Sequence, residues 1–190
     1  SYFNLKMYYL AAAQFKNFIT SYPKSQKFEE ASFMNAKCYY MLSPLYSLDQ
    51  KDTNTALEKL QIFLNNYPNS EYIQEANILI SELQEKLEKK QFEVSKQYYT
   101  IRDFKAAIKS LDNFIGEFAG TKYREEAMFY KFLSAYEIAF NSVPSKKLNR
   151  LNDLKQLYSS ILKYYPETIF KDQILSKIDV VEKEINNFNN

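Results

Sequence analysis

Residues 56–78 read ALEKLQIFLNNYPNSEYIQEANI, and this stretch decides the fold. Ala56, Leu60 and Phe63 follow at spacings of four and three, which puts them on one face of a helix. Tyr67 closes the apolar stripe directly before Pro68. Two positions on, Ser70 is suited to cap a second helix by accepting a hydrogen bond from its free amides. Ala76 then offers a small face that lets a neighbouring helix approach. The unit is an antiparallel helical hairpin around an aromatic-Pro-x-Ser turn.

The same frame recurs. Residues 11–33 (AAAQFKNFITSYPKSQKFEEASF) and 107–129 (AIKSLDNFIGEFAGTKYREEAMF) align without gaps, and 154–176 (LKQLYSSILKYYPETIFKDQILS) keeps the frame more weakly. The stripe positions are Phe15, Leu60, Leu111 and Tyr158, then Phe18, Phe63, Phe114 and Ile161, then Tyr22, Tyr67, Phe118 and Tyr165. The capping position holds Ser25, Ser70, Thr121 and Thr168, and the small position holds Ala31, Ala76, Ala127 and Ile174. Alanine, an aromatic or Leu four later, and Pro twelve after the alanine follow the tail of the tetratricopeptide (TPR) repeat. Pro23, Pro68, Ala119 and Pro166 are 45, 51 and 47 residues apart, longer than the roughly 34 of the minimal unit. Aromatics at Phe18, Phe63 and Phe114 also mark a variant. The expected fold is an all-α, TPR-like α-solenoid, a single array over 1–190 with repeats near 8–42, 53–88, 99–140 and 148–186.

Two features depart from plain repetition. Residues 71–115 contain no Gly or Pro, and Ala76, Ile80, Leu83, Leu87, Val94, Tyr98 and Ile101 keep a 4-3 rhythm. This predicts a helix over about 71–101 that joins the two halves; two helices broken near Lys90 are the alternative. Residues 43–56, SPLYSLDQKDTNTA, lengthen one connection without disturbing the frame on either side. That loop either caps itself, with Asp49, Asp52 or Thr55 starting the next helix and Thr55 and Glu58 forming a capping box, or makes a contact.

Composition agrees with helices: 46% of the residues are hydrophobic, with only 2 Gly and 5 Pro, enough apolar surface for a core and too few turn residues for an all-β fold. The net charge of +2 gives no bias toward nucleic acid or an anionic membrane. The most basic piece, 141–171, carries Lys146, Lys147, Arg150, Lys155, Lys163 and Lys171, as a patch or as a solvated face. No apolar run is long enough to cross a bilayer. Cys38 is the only cysteine and reads as a buried small hydrophobe.

Catalytic chemistry has little to build on. The chain has no histidine, which removes the usual general base and metal ligand. Two glycines make no phosphate-cradling loop. Glu29/Glu30 and Glu125/Glu126 recur in first turns of helices, where carboxylates favour the positive end of the dipole. No enzyme, cofactor or metal site is expected. Adjacent tyrosines (Tyr39/Tyr40, Tyr98/Tyr99, Tyr164/Tyr165) cannot both be buried on one helix face, so some line a binding groove or an inter-repeat seam.

The loop, with the repeats after it and the YYTIRDFKAA turn at 98–107, closely resembles the BamD family, TPR lipoproteins of the outer-membrane β-barrel assembly machinery, in its Bacteroidetes-type form. The resemblance covers about residues 10–171. It implies a periplasmic location at the outer membrane, with a lipobox cysteine and a first repeat upstream of Ser1. Membrane association would come only through that upstream lipid anchor. The implied partners are the POTRA portion of BamA, other assembly subunits and unfolded outer-membrane protein clients. Carried over by position, Tyr98, Tyr99, Arg102, Asp103, Arg124 and Glu125 are candidates for BamA contact. Tyr46, Asp49 and Gln50 are candidates for contact through the inserted loop. Alternatives are another periplasmic TPR adaptor of the cell envelope, or a SusD-like glycan-binding lipoprotein, against which the lack of tryptophan counts. The C-terminal segment, with Val180, Val181 and Ile185, either caps the array or docks on a partner.

Overall fold

The computed structural model describes residues 2–189, and among them every regular element is α-helical. The helices are α1 (Tyr8–Ser21), α2 (Phe28–Leu42), α3 (Lys51–Asn66), α4 (Ile73–Thr100), α5 (Phe104–Glu117), α6 (Arg124–Phe140), α7 (Pro144–Tyr164) and α8 (Lys171–Asn189). They pair as the repeat predicts: α1 with α2, α3 with α4, α5 with α6 and α7 with α8, each joined by six residues.

The four turns are one structure built four times. The aromatic in first position ends its helix, and its N–H still bonds four residues back: Tyr22 to Phe18, Tyr67 to Phe63, Phe118 to Phe114 and Tyr165 to Ile161, at 2.8–2.9 Å. The hydroxyl in fourth position accepts from the N–H two residues on: Ser25 from Lys27 (3.1 Å), Ser70 from Tyr72 (3.2 Å), Thr121 from Tyr123 (3.2 Å) and Thr168 from Phe170 (3.3 Å). The sequence pattern names these four residues as N-caps. They act two residues earlier, closing the turn that leads into each helix, while the capping residues proper, such as Lys27 and Tyr123, accept no side-chain bond. The acidic first turns Glu29, Glu30, Glu125 and Glu126 follow directly.

The chain divides into two compact units, residues 1–90 and 91–190. In the first, Phe33, Leu60, Phe63, Ala76, Leu79 and Leu83 form the core. Beside it Ala11, Ala12 and Cys38 pack together, and buried Asn35 donates to the Ala12 carbonyl at 2.8 Å. Burial pushes the Cys38 thiol up to about 11, the behaviour of a packing residue. In the second unit Phe92, Leu111, Phe114 and Ala127 make one cluster. Another holds Phe129, Phe132, Leu151, Leu154, Ile161, Ile174, Ile178 and Val181. Each fully buried side chain of this size contributes about 1.5–3 kcal/mol. Val181 is buried and Ile185 packs against this cluster, so one face of α8 completes the unit, while Val180 lies exposed.

Helix α4 is 28 residues long, or about 42 Å, and continuous through Lys90. Its buried positions differ from the predicted stripe. Ala76, Leu79 and Leu83 are buried in the N-terminal part, Phe92 and Ser95 in the C-terminal part, while Val94 and Ile101 are exposed. Leu83 and Phe92 are nine residues apart, two and a half turns, so no single stripe holds both. Spacing alone favoured a continuous 4-3 run because Val94 and Ile101 are apolar.

Candidate functional site

The loop between α2 and α3 is organised around Gln50, which is 6% exposed. Its Nε2 donates to the carbonyls of Leu45 (2.9 Å), Leu48 (2.9 Å) and Tyr46 (3.3 Å), and its Oε1 accepts from Thr53 at 2.7 Å. One amide thus pairs three loop carbonyls. Three lysines of α4 hold the loop from outside. Lys86 donates to the Ser43 hydroxyl (2.6 Å) and Lys90 to the Leu48 carbonyl (2.5 Å), and the Lys89 ammonium lies 4.5 Å from the centre of the Tyr46 ring. Burial lowers the affinity of Lys86 for its proton.

Of the three loop residues singled out from sequence, Gln50 is therefore internal, Tyr46 is half-buried under Lys89, and Asp49 is exposed while accepting from the Lys51 N–H at 2.9 Å. Asp49 thus helps start α3. The predicted Thr55–Glu58 capping box does not form, because Thr55 lies inside α3 and donates to the Lys51 carbonyl. Asp52 accepts from the Tyr9 hydroxyl at 2.6 Å instead. What the loop presents outward is Leu45 and Leu48, 73% and 56% exposed. Sequence reasoning passed over both, although their spacing of three was visible. Beside them Pro44 and Tyr46 line a groove of about 350 Å³ against Glu82 and Lys86.

The turn from α4 to α5 is held by main chain. Arg102 N–H bonds the Tyr99 carbonyl and Asp103 N–H the Tyr98 carbonyl, both at 2.9 Å, with Arg102 in the left-handed region at φ 64. This is the Schellman closure that usually recruits glycine at Arg102's position. A side chain there costs about 1 kcal/mol. Residues 2–7 make the same closure, with Lys6 at φ 58. Asp103 then caps α5, accepting from the Ala106 N–H at 3.1 Å.

The tyrosine pair divides its labour. Tyr99 sits edge-on to Tyr130 at 5.2 Å and against Phe104 at 5.8 Å, and burial raises its phenol above the ordinary value; Tyr98 is half-buried. Exposed Arg102 and Asp103 border a polar groove of about 500 Å³ with Lys105, Glu137 and Arg150.

Arg124 and Glu125 stand elsewhere, across the 14 residues of α5 from Arg102, about 20 Å of helix. There Arg124 lies over the Tyr164 ring, 5.3 Å from its centre, and donates to the Ala119 carbonyl at 3.2 Å. Glu125 accepts from the Ile169 N–H at 3.1 Å. The six candidates thus form two places, one exposed turn and one internal joint.

Within the basic stretch Lys147 meets Glu184 at 2.5 Å, Lys155 meets Glu182 at 3.5 Å, and Arg150 bonds Ser142. Among the described residues no cluster of His, Cys, Asp or Glu has metal-binding geometry, and no helix is long and apolar enough to cross a membrane.

Helical hairpins joined by one repeated turn define a TPR-like helical-repeat protein. The family model for YfiO, outer membrane lipoprotein, matches residues 1–109 and again 86–188. The chain belongs to this family, which places it at the periplasmic face of the outer membrane. It is 29% identical over 119 residues, 63% of its length, to the outer membrane protein assembly factor BamD of Caulobacter vibrioides. It is 24% identical over 152 residues, 80% of its length, to the outer membrane protein assembly factor BamD of Rickettsia prowazekii. The chain spans 39% and 56% of the length of these two relatives. Their name is that of an assembly factor, not of an enzyme.

Proposed function

We propose that the chain is a non-catalytic scaffold subunit of the complex that assembles β-barrel proteins in the outer membrane. In this reading it binds the POTRA region of BamA through the α4–α5 turn and offers other surfaces to further subunits and to unfolded outer-membrane clients. Family membership and the names of its relatives support the setting. The observation that carries the contact is Arg102, an exposed charged side chain kept at a backbone position that favours glycine. Strain retained without a packing reason points to use of the side chain. The adjoining groove adds Lys105, Glu137 and Arg150, which suits a polar partner surface.

Co-purification of the full chain with the last POTRA domain of the cognate BamA tests this. Binding in the micromolar range is expected, and well-folded protein that fails to bind at tens of micromolar sinks the proposal. Arg102→Glu should weaken the complex at least about tenfold while leaving the thermal midpoint in place. Loss of both together would mean that the arginine is structural.

A further inference from the structure

In the first unit the groove between α1, α2 and α3 is filled by a tyrosine of its own middle helix. Tyr39 of α2 packs both against Ala11, Ala12 and Cys38 and against the core that holds Ala56 and Leu60. The Lys59 ammonium lies 5.1 Å from the centre of its ring. At the same groove the Tyr9 hydroxyl donates to Asp52 at 2.6 Å, tying α1 to α3.

The second unit repeats these helices as α5, α6 and α7 but not these residues. Counted from the small residues Ala31 and Ala127, Ala135 stands where Tyr39 does. Counted from Ala56 and Leu154, Leu157 replaces Lys59 and Arg150 replaces Asp52; counted from Ala11 and Ala107, Lys105 replaces Tyr9. Ring, carboxylate and hydroxyl are thus all missing together, and a groove of about 430 Å³ stands open between the three helices. The plug of the first unit is a side chain of the groove's middle helix. Its counterpart could come only from α6, where Ala135 is too short to supply it.

The open groove is apolar on its walls and charged on one rim. Ile108 of α5, Ala135 and Ile138 of α6 and Leu157 of α7 line it, all half-buried. Arg150 and Asp153 stand on the same face of α7 as Leu157, at spacings of three and four. Arg150 gives one N–H to Ser142 and has others to offer, and Asp153 is exposed. Lys131, also at the groove, is already held by Asp112 at 2.5 Å. The rim therefore presents a donor and an acceptor side by side. A phenol O–H matches both, accepting from the guanidinium and donating to the carboxylate, while its ring matches the walls. An aliphatic or phenylalanine side chain would leave the rim unanswered.

We propose that this groove receives a tyrosine side chain presented by a partner protein, its ring between Ile108, Ala135, Ile138 and Leu157 and its hydroxyl bonded to Asp153 and Arg150. Tyr39 supplies the template for the ring, and the Tyr9–Asp52 bond the template for the hydroxyl. Apolar walls with a few placed polar groups are the usual make-up of a site that fixes one side chain in one orientation.

The test titrates the full chain, isotope-labelled, with a capped Gly-Tyr-Gly peptide. Saturable binding in the low-millimolar range is expected, with shifts centred on Ile108, Ala135, Ile138 and Leu157. The Gly-Phe-Gly peptide should bind at least about threefold more weakly, and Asp153→Ala should narrow that preference. Ala135→Tyr rebuilds the plug of the first unit and should abolish binding while the thermal midpoint holds or rises. Ile108→Ala is the second variant, weakening binding about threefold or more without refilling the groove. No shifts at about 20 mM peptide overturn the proposal, as do equal binding of the phenylalanine peptide and shifts that persist in folded Ala135→Tyr. Self-association of the chain that Ala135→Tyr removes would make the occupant a second copy and overturn the partner protein.

Discussion

The two connections that carry the candidate contacts are built on opposite plans. Residues 43–50 form a long loop whose carbonyls converge on one side chain, Gln50. Residues 101–103 form a short turn closed by backbone hydrogen bonds from Arg102 and Asp103. The first depends on a few particular side chains and leaves Leu45 and Leu48 outward. The second depends on one backbone conformation and leaves the Arg102 side chain outward. A loop of the first kind fails through a single buried substitution, whereas a turn of the second kind tolerates most.

That contrast can be broken at Gln50. Gln50→Leu takes their partner from the Leu45 and Tyr46 carbonyls, while the Leu48 carbonyl keeps Lys90 and the Thr53 hydroxyl keeps Ser43, and should cost about 2–3 kcal/mol. Urea denaturation measures it, and a cost below about 0.5 kcal/mol would mean that water replaces the amide. In the turn the largest loss should be smaller: Asp103→Ala removes one cap of α5, worth about 1 kcal/mol. Arg102→Gly should go the other way, raising stability by about 0.5–1 kcal/mol once left-handed strain is set against chain entropy. If the glycine variant is less stable, the arginine packs in a way its exposure conceals.

The smallest effect appears only in alkali. At the end of α2, just before the long loop, Tyr40 donates to Glu82 of α4, and that hydrogen bond, then burial, push its phenol up to about 12. The neutral phenol is the form the fold prefers. Its contribution is complete below pH 10, the ordinary value, and disappears as pH climbs through about 12. Denaturation midpoints across that window should fall in the native chain and fall less in Tyr40→Phe. Parallel slopes would assign the loss to other groups.

The repeat was legible because its turn is written in residue types with distinct roles: an aromatic that ends a helix, a hydroxyl that closes a turn, a small residue that admits a neighbour. Arg102 was legible as a turn residue through its setting in YYTIRD, but its left-handed conformation was not, since arginine carries no such signal. Gln50 misled because polar residues in loops usually face water, and only the fold shows three carbonyls turned toward it. In α4 the apolar residues Val94 and Ile101 extended a rhythm that burial does not follow. The separation of Arg124 and Glu125 from the turn is a matter of helix length, and the alignment of repeats held that information unused.

The sixth residue of each turn has a further consequence. It is Tyr72, Tyr123 or Phe170 where a phenylalanine of the preceding helix lies flat on it, and Lys27 in the first turn. An aromatic letter there thus marks a floor on which a ring can rest. Among proteins built on this turn, an inventory of that letter would show which turns seat a stacked ring, before any coordinates exist.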